Sequence, residues 1–97
     1  MIKIVQRKGL ELITVCGETL LVATKEAYGA CPYVNRLGKL SAMYWRLLSE
    51  GKPMGEIVRT CAEEMKIDPR IMTRLIFETT NRMLAAGYLI KEDVGNE

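Results

Sequence analysis

The chain has 97 residues, of which 48% are hydrophobic and 27% are charged, and its net charge is +2 at pH 7. A chain of this size and composition forms one small globular domain, so we treat residues 1–97 as a single domain. The weak net charge does not by itself indicate nucleic acid, an anionic membrane or an acidic substrate as a partner.

The first third of the chain has the composition of β-strands. "LELITV" (10–15) and "TLLVAT" (19–24) are rich in β-branched and aliphatic residues, and Gly17 between them can take a positive φ, which predicts a tight hairpin. "ACPYV" (30–34) is a third, shorter strand. Pro32 has no N–H to donate, which favours the edge of the sheet. The initial "IKIV" is a further candidate strand.

Three helices are predicted in the rest of the chain, at about residues 36–50, 54–66 and 69–86. We interpret Asn35 as the N-cap of the first helix, worth about 1 kcal/mol, and Gly51 as its C-terminal stop. Asp68 caps the third helix with Pro69 in its first turn, and the helix ends at Gly87. The "YLI" segment that follows should fold back on the core. The predicted fold class is α+β, a small three-stranded antiparallel sheet followed by three helices, winged-helix-like.

Apolar or neutral residues cover more than half the circumference of the third helix. One flank carries Thr73 and Phe77, with Arg74 and Asn81 at its polar border. Either the helix is central and packed on two sides, or one flank lines a groove. The sequence does not show which flank would face the third strand.

Catalytic and metal-binding motifs are missing from the sequence. There is no histidine, no phosphate-binding loop and no GxSxG pattern. The cysteines, Cys16, Cys31 and Cys61, are far apart, and no two have CxxC spacing. We therefore expect no catalytic residue, no metal site and no cofactor.

The expected location is the cytoplasm. No apolar run reaches the ~20 residues that span a bilayer. The first residues also lack the apolar centre and the cleavage site of a signal peptide.

Several short motifs follow one another along the chain in a distinctive order. They are Val34-Asn35, Gly38, Leu47-Leu48 with Gly51, Glu56-Ile57 and Gly87-Tyr88. In this order they resemble the PqqD-like family of precursor-peptide chaperones and of recognition domains for ribosomally synthesised, post-translationally modified peptides. The resemblance covers roughly residues 10–90. Two departures stand out: the stretch from residue 35 to residue 51 is about one turn longer, and the third helix carries Leu75-Ile76 and Thr79-Thr80 where the family has Asp-Val and aromatic-Leu pairs.

The resemblance implies a non-catalytic peptide-binding function. Members of the family bind the leader of a precursor peptide as an added strand, along the third strand and against the third helix, and present it to a modifying enzyme, often a radical-SAM enzyme. Sheet edges and apolar helix flanks suit this mode of binding. The residues that we predict to bind the peptide are Cys31, Tyr33, Val34, Thr73, Arg74, Phe77 and Asn81.

Two other classes of function stay open at this point. In a winged-helix DNA-binding domain, Arg74 and Asn81 would reach the bases. Glu78 among them and the low net charge count against this, because DNA binding depends on phosphate neutralisation. An interaction or dimerisation module is the other alternative, and an uncovered edge strand predicts some self-association as a homodimer.

Overall fold

A computed structural model describes residues 2–30 and 34–93 of the chain. Strands β1 to β3 are Ile2–Gln6, Leu10–Val15 and Glu18–Ala23; a short 3-10 turn at Lys25–Ala27 follows, and then strand β4, Val34–Leu37. Helices α1 to α3 are Lys39–Ser49, Met54–Met65 and Pro69–Ala86, and strand β5, Leu89–Asp93, follows them. The predicted α+β class, with an antiparallel three-stranded sheet and three helices, is confirmed.

The three-stranded sheet has the order β2-β3-β4, and both pairings are antiparallel. The predicted hairpin is present. Val15 pairs with Glu18, and the two residues between them, Cys16 and Gly17, have φ values of 51° and 78°. Positive φ at both central residues is the geometry that matches the right-handed twist of a two-residue hairpin. Strand β4 pairs with β3 and with no other described strand, so it forms one edge of the sheet.

Strands β1 and β5 form a second, two-stranded antiparallel sheet with a register from Ile2↔Asp93 to Gln6↔Leu89. Sequence analysis anticipated "IKIV" as a strand and "YLI" as a segment folded on the core, but not that the two would pair. Tyr88 and Leu89 are each 1% exposed, which confirms the packing of this segment. The Gln6 side-chain amide donates a 3.0 Å hydrogen bond to the carbonyl of Trp45, which attaches the second sheet to α1.

The prediction that Asn35 caps the first helix is wrong. Asn35 lies inside β4, where it pairs with Leu21, and α1 begins only at Lys39 with Gly38 as its N-cap and no side-chain capping bond. The pairing of β4 with β3 continues to Leu37, whose side chain is 9% exposed and joins the core. Burial of Leu37 and the hydrogen bonds of the extended ladder therefore outweigh an earlier start of the helix.

The ends of the other helices agree with expectation. The Asp68 carboxylate accepts a 2.8 Å hydrogen bond from the backbone N–H of Arg70, and Pro69 occupies the first turn of α3. At the end of α1, the Gly51 N–H bonds to the Leu48 carbonyl, as in a helix that stops at a glycine. None of the helices in the described ranges is long and apolar enough to cross a membrane.

Helix α3 is the central element of the core. Its buried residues are Met72, Ile76, Thr79, Thr80 and Met83. Tyr44 of α1 is fully buried, and its hydroxyl shares a hydrogen bond with the Thr80 hydroxyl. The Thr80 hydroxyl also donates to the Ile76 carbonyl at 2.8 Å, so the Tyr44 hydroxyl is the donor between the two side chains.

Because of this arrangement, the two hydroxyls differ in how much stability they contribute. Thr80→Val leaves the Tyr44 hydroxyl buried without its partner and should cost about 1–3 kcal/mol, whereas Tyr44→Phe removes the buried donor itself and should cost about 1 kcal/mol. The double variant should cost less than the two single costs added together, because its second substitution removes the group that the first left unpaired. Urea unfolding of the four proteins measures this cycle, and strictly additive costs would contradict the hydrogen bond.

Burial also makes stability sensitive to alkali. It raises the pKa of the Tyr44 phenol above its ordinary value of 10.0 and the pKa of the Cys61 thiol above 9.0. The unfolded chain loses these protons at lower pH than the folded chain, so this stability is complete below about pH 9 and is lost as pH rises through the folded-state values. Each group can contribute a slope of up to about 1.4 kcal/mol per pH unit. We therefore expect the free energy of unfolding, measured between about pH 8 and pH 11, to fall less steeply with pH for Tyr44→Phe than for the parent protein, because the variant lacks the buried phenol.

Candidate functional site

The register of the three-stranded sheet separates an inner face from an outer face. Residues directly opposite each other in an antiparallel pair share a face. Leu21 is fully buried and lies opposite Asn35, and Leu37 lies opposite Thr19, so Asn35 and Leu37 belong to the inner face. Val34 alternates with them and lies on the outer face, 55% exposed.

A groove runs between the inner face of β4 and helix α3, and we call it the β4–α3 groove. Its volume is about 200 Å³. The residues that line it are Asn35, Arg36, Leu37, Gly38, Ser41, Thr79, Arg82, Met83, Ala86 and Tyr88. The floor is formed by side chains that are almost completely buried, including Met83 and Tyr88. The groove therefore combines a buried apolar floor with an edge of β4 that pairs with no further strand among the described residues.

The residues that line the β4–α3 groove include one arginine from the strand and one from the helix. On the strand side, Arg36 forms a 3.0 Å ion pair with Glu18, and both side chains are more than half exposed. On the helix side, Arg82 donates a 3.2 Å hydrogen bond to the Thr79 hydroxyl. The exposed ion pair between Arg36 and Glu18 contributes little to stability, so Arg36 can exchange Glu18 for a group on a ligand.

The structure answers which flank of α3 faces the strand. Thr79, Arg82, Met83 and Ala86 line the β4–α3 groove. The four helix residues predicted to bind peptide lie together, but they line a different groove on the opposite flank. These four are Thr73, Arg74, Phe77 and Asn81. In the structure these four residues therefore lie away from β4.

The two sets of α3 residues lie on opposite flanks because each residue of a helix is rotated by ~100° from the one before it. Phe77 and Thr79 are two positions apart, so their side chains point about 160° away from each other around the helix. Of the predicted strand residues, Val34 lies on the outer face, while Cys31 and Tyr33 lie outside the described residues.

The residues that sequence analysis missed share one cause. The expectation that Asn35 caps a helix ends the predicted strand at residue 34, which leaves Asn35 and Leu37 out of the inner face of the sheet. No alternation of apolar and polar residues marks this extension of the strand, because Val34, Asn35 and Arg36 are all exposed and only Leu37 is buried. On the helix, the pair of hydroxyls at Thr79 and Thr80 marked the buried side of α3, which is next to the groove.

The side chains that line the β4–α3 groove are apolar, hydroxyl, amide and cationic. Its lining contains no cysteine and no carboxylate, and the sequence has no histidine. In the described ranges, no group of three or more acidic, cysteine or histidine residues is placed to hold a metal ion. What the groove offers is backbone donors and acceptors on β4, an apolar floor and two arginines among its lining residues.

Comparison with known proteins defines the fold. No family model matches the chain, and no curated protein matches it in sequence. A solved structure with a similar fold is that of TbiB1 in complex with the TbiA(beta) leader peptide. It has 18% sequence identity to this chain, and the superposition covers 95% of this chain and 99% of TbiB1 with a TM-score of 0.72. The chain thus shares the fold of TbiB1 over nearly its whole length.

The corrected position of Asn35 changes the expected effect of Asn35→Ala. An exposed strand residue with no capping bond should leave the free energy of unfolding within about 0.5 kcal/mol of the parent value. The matched control is Asp68→Ala. Among the three helices, only the N-cap of α3, Asp68, has a side chain that accepts a hydrogen bond from a backbone N–H. Thermal melts should show a lower midpoint for Asp68→Ala only. A clear loss of stability in Asn35→Ala would reinstate the capping role.

Proposed function

We propose that this protein is a non-catalytic peptide-binding domain that captures the leader of a precursor peptide as an added strand on β4. The observation that carries the proposal is the open edge of β4 beside the β4–α3 groove. The likeness to TbiB1, whose structure contains a leader peptide, supports it. The short motifs that resemble the PqqD-like family lead to the same function.

Strand addition suits the geometry of β4. An extended peptide beside β4 gains main-chain hydrogen bonds, and every second side chain of the peptide then points to the inner face. Those side chains enter the β4–α3 groove over Met83 and Ala86. A space of about 200 Å³ holds one or two aliphatic side chains, since an apolar cavity of ~150 Å³ already takes up a benzene molecule. The inward positions of the peptide should therefore be aliphatic.

The two arginines that line the groove specify the charge of the peptide. Arg36 comes from the strand and Arg82 from the helix. A carboxylate on the peptide can form a charge-assisted hydrogen bond with Arg82 that is stronger than the present bond to the neutral Thr79 hydroxyl, and it can replace Glu18 as the partner of Arg36. We infer that the leader carries acidic residues next to its aliphatic ones.

The captured leader would then be presented to a modifying enzyme, for which a radical-SAM enzyme is the expectation from the family resemblance. Self-association is a competing use of the same edge, because a second copy of β4 can add to the sheet as a peptide does. Peptide and homodimer would then exclude each other at β4.

Backbone methylation of the peptide tests strand addition directly. Methylating alternate amides in one register removes the N–H groups that face β4, while methylation in the other register leaves them free. Each lost bond is worth about 1 kcal/mol, so two lost bonds should weaken binding by roughly 30-fold in one register only. Calorimetric titration of the two methylated forms of a leader peptide from a neighbouring gene measures this. Equal affinities would exclude strand addition.

The location of binding is checked by NMR titration with the same peptide and with a DNA duplex at ~0.15 M salt, where non-specific DNA contacts are weakened. Peptide-induced shifts should cluster at residues 34–37 and at Thr79, Met83 and Ala86. Shifts with DNA alone, centred on Arg70 and Arg74, would favour a winged-helix DNA-binding domain instead.

A further inference from the structure

A second and larger groove lies on the other flank of α3, and we call it the α2–α3 groove. Its volume is about 590 Å³, compared with about 200 Å³ for the β4–α3 groove. One wall is α3, the other is the start of α2, and Ile4 of β1 and Lys91 of β5 close one side. The lining residues are Ile4, Met54, Val58, Arg70, Thr73, Arg74, Ile76, Phe77, Thr80, Asn81, Leu84 and Lys91.

Large apolar side chains are exposed at this groove. Phe77 is 66% exposed and Met54 is 43% exposed. Val58 and Leu84, which are half-buried, pack against the core and extend the apolar surface below them. Aromatic and methionine side chains that stay in water in the free protein are typical of adaptable binding surfaces.

The charge of the α2–α3 groove has one sign. Its lining includes the cations Arg70, Arg74 and Lys91 and no carboxylate. Arg70 forms an exposed 3.5 Å pair with Asp68, which stands outside the groove. No ion pair formed within residues 2–30 and 34–93 involves Arg74 or Lys91. The groove therefore complements a ligand that is both apolar and acidic.

The length of the groove indicates the shape of that ligand. The α3 wall runs from Arg70 to Leu84 with lining residues every three or four positions. At 1.5 Å per residue this wall is about 21 Å long, which matches a helix of about 14 residues. A groove along a helix with apolar anchors is a common binding site for an amphipathic helix.

We propose that the α2–α3 groove is a docking site for an acidic amphipathic helix of a partner protein. The apolar side of that helix would cover Phe77 and Met54, and its carboxylates would pair with Arg74 and Lys91. The site does not depend on peptide capture at β4. The two grooves lie on opposite flanks of α3, so both can be occupied at once, and a partner docked here would be next to a peptide held at β4.

The test uses synthetic helical peptides of about 16 residues with leucines at i, i+3, i+7 and i+11. One has glutamates beside the leucines, a second has lysines there, and a third is a scramble of the first. Fluorescence anisotropy with the full chain at ~0.1 M salt measures their affinities. The glutamate peptide should bind at least about tenfold more tightly than the other two. Arg74→Glu should weaken the glutamate peptide and strengthen the lysine peptide.

Phe77→Ala provides the local control, with Ile71→Ala as its matched partner. Both residues are exposed apolar side chains of α3, but Ile71, 52% exposed, lines neither groove. Phe77→Ala should weaken the glutamate peptide about tenfold or more, with an unchanged thermal midpoint. Ile71→Ala should leave the affinity unchanged.

Three outcomes would overturn the proposal. One is equal binding of the glutamate and lysine peptides, and another is an equal effect of Phe77→Ala and Ile71→Ala. The third is sedimentation evidence that the free protein dimerises and that Phe77→Ala makes it monomeric, which would assign the groove to a second copy of this chain. Failure of a leader peptide to bind at β4 affects none of these measurements.

Discussion

Helix α3 is held in place by a hydrogen bond between two buried hydroxyls, and both grooves depend on the position of that helix. Tyr44 of α1 bonds to Thr80, which lies near the middle of α3. A buried hydroxyl that loses its partner costs the full free energy of its desolvation, so this bond admits few other placements of the two helices. The apolar contacts of Met72, Ile76 and Met83 supply the bulk of the burial, but they are less directional.

A helix packed in this way leaves two separate flanks. The flank with Thr79 and Met83 turns toward β4, and the flank with Thr73 and Phe77 turns toward α2 and β1. Both interpretations of the wide apolar arc on α3 therefore hold: the helix packs in the core and it also lines grooves. Part of the arc is core, and its outer parts line grooves. A helix with one narrow apolar stripe would have formed only the core.

Local signals in the sequence predicted most of the elements correctly. The Cys16-Gly17 turn, the Asp68-Pro69 start of α3 and the glycine stops all depend on residues within a few positions of each other. The pairing of β1 with β5 could not be found in this way, because its partners are 83 to 91 residues apart and neither strand has a local pattern that identifies the other. The prediction for Asn35 fails for a related reason. Its preference for the N-cap position is a local property, whereas the pairing of Leu37 with β3 depends on tertiary contacts.

The two edges of the three-stranded sheet differ in a way that favours β4 as the place for a ligand strand. Strand β2 is longer, and its outer-face residues Ile13 and Val15 are 38% and 48% exposed, but neither groove that α3 forms borders it. A strand added there would gain backbone hydrogen bonds and little side-chain specificity. Strand β4 has only four residues and carries the charged side chain of Arg36. Both features discourage non-specific pairing with the strands of other chains. Its groove supplies the selective contacts instead, so specificity at this edge comes from α3 and affinity from the strand.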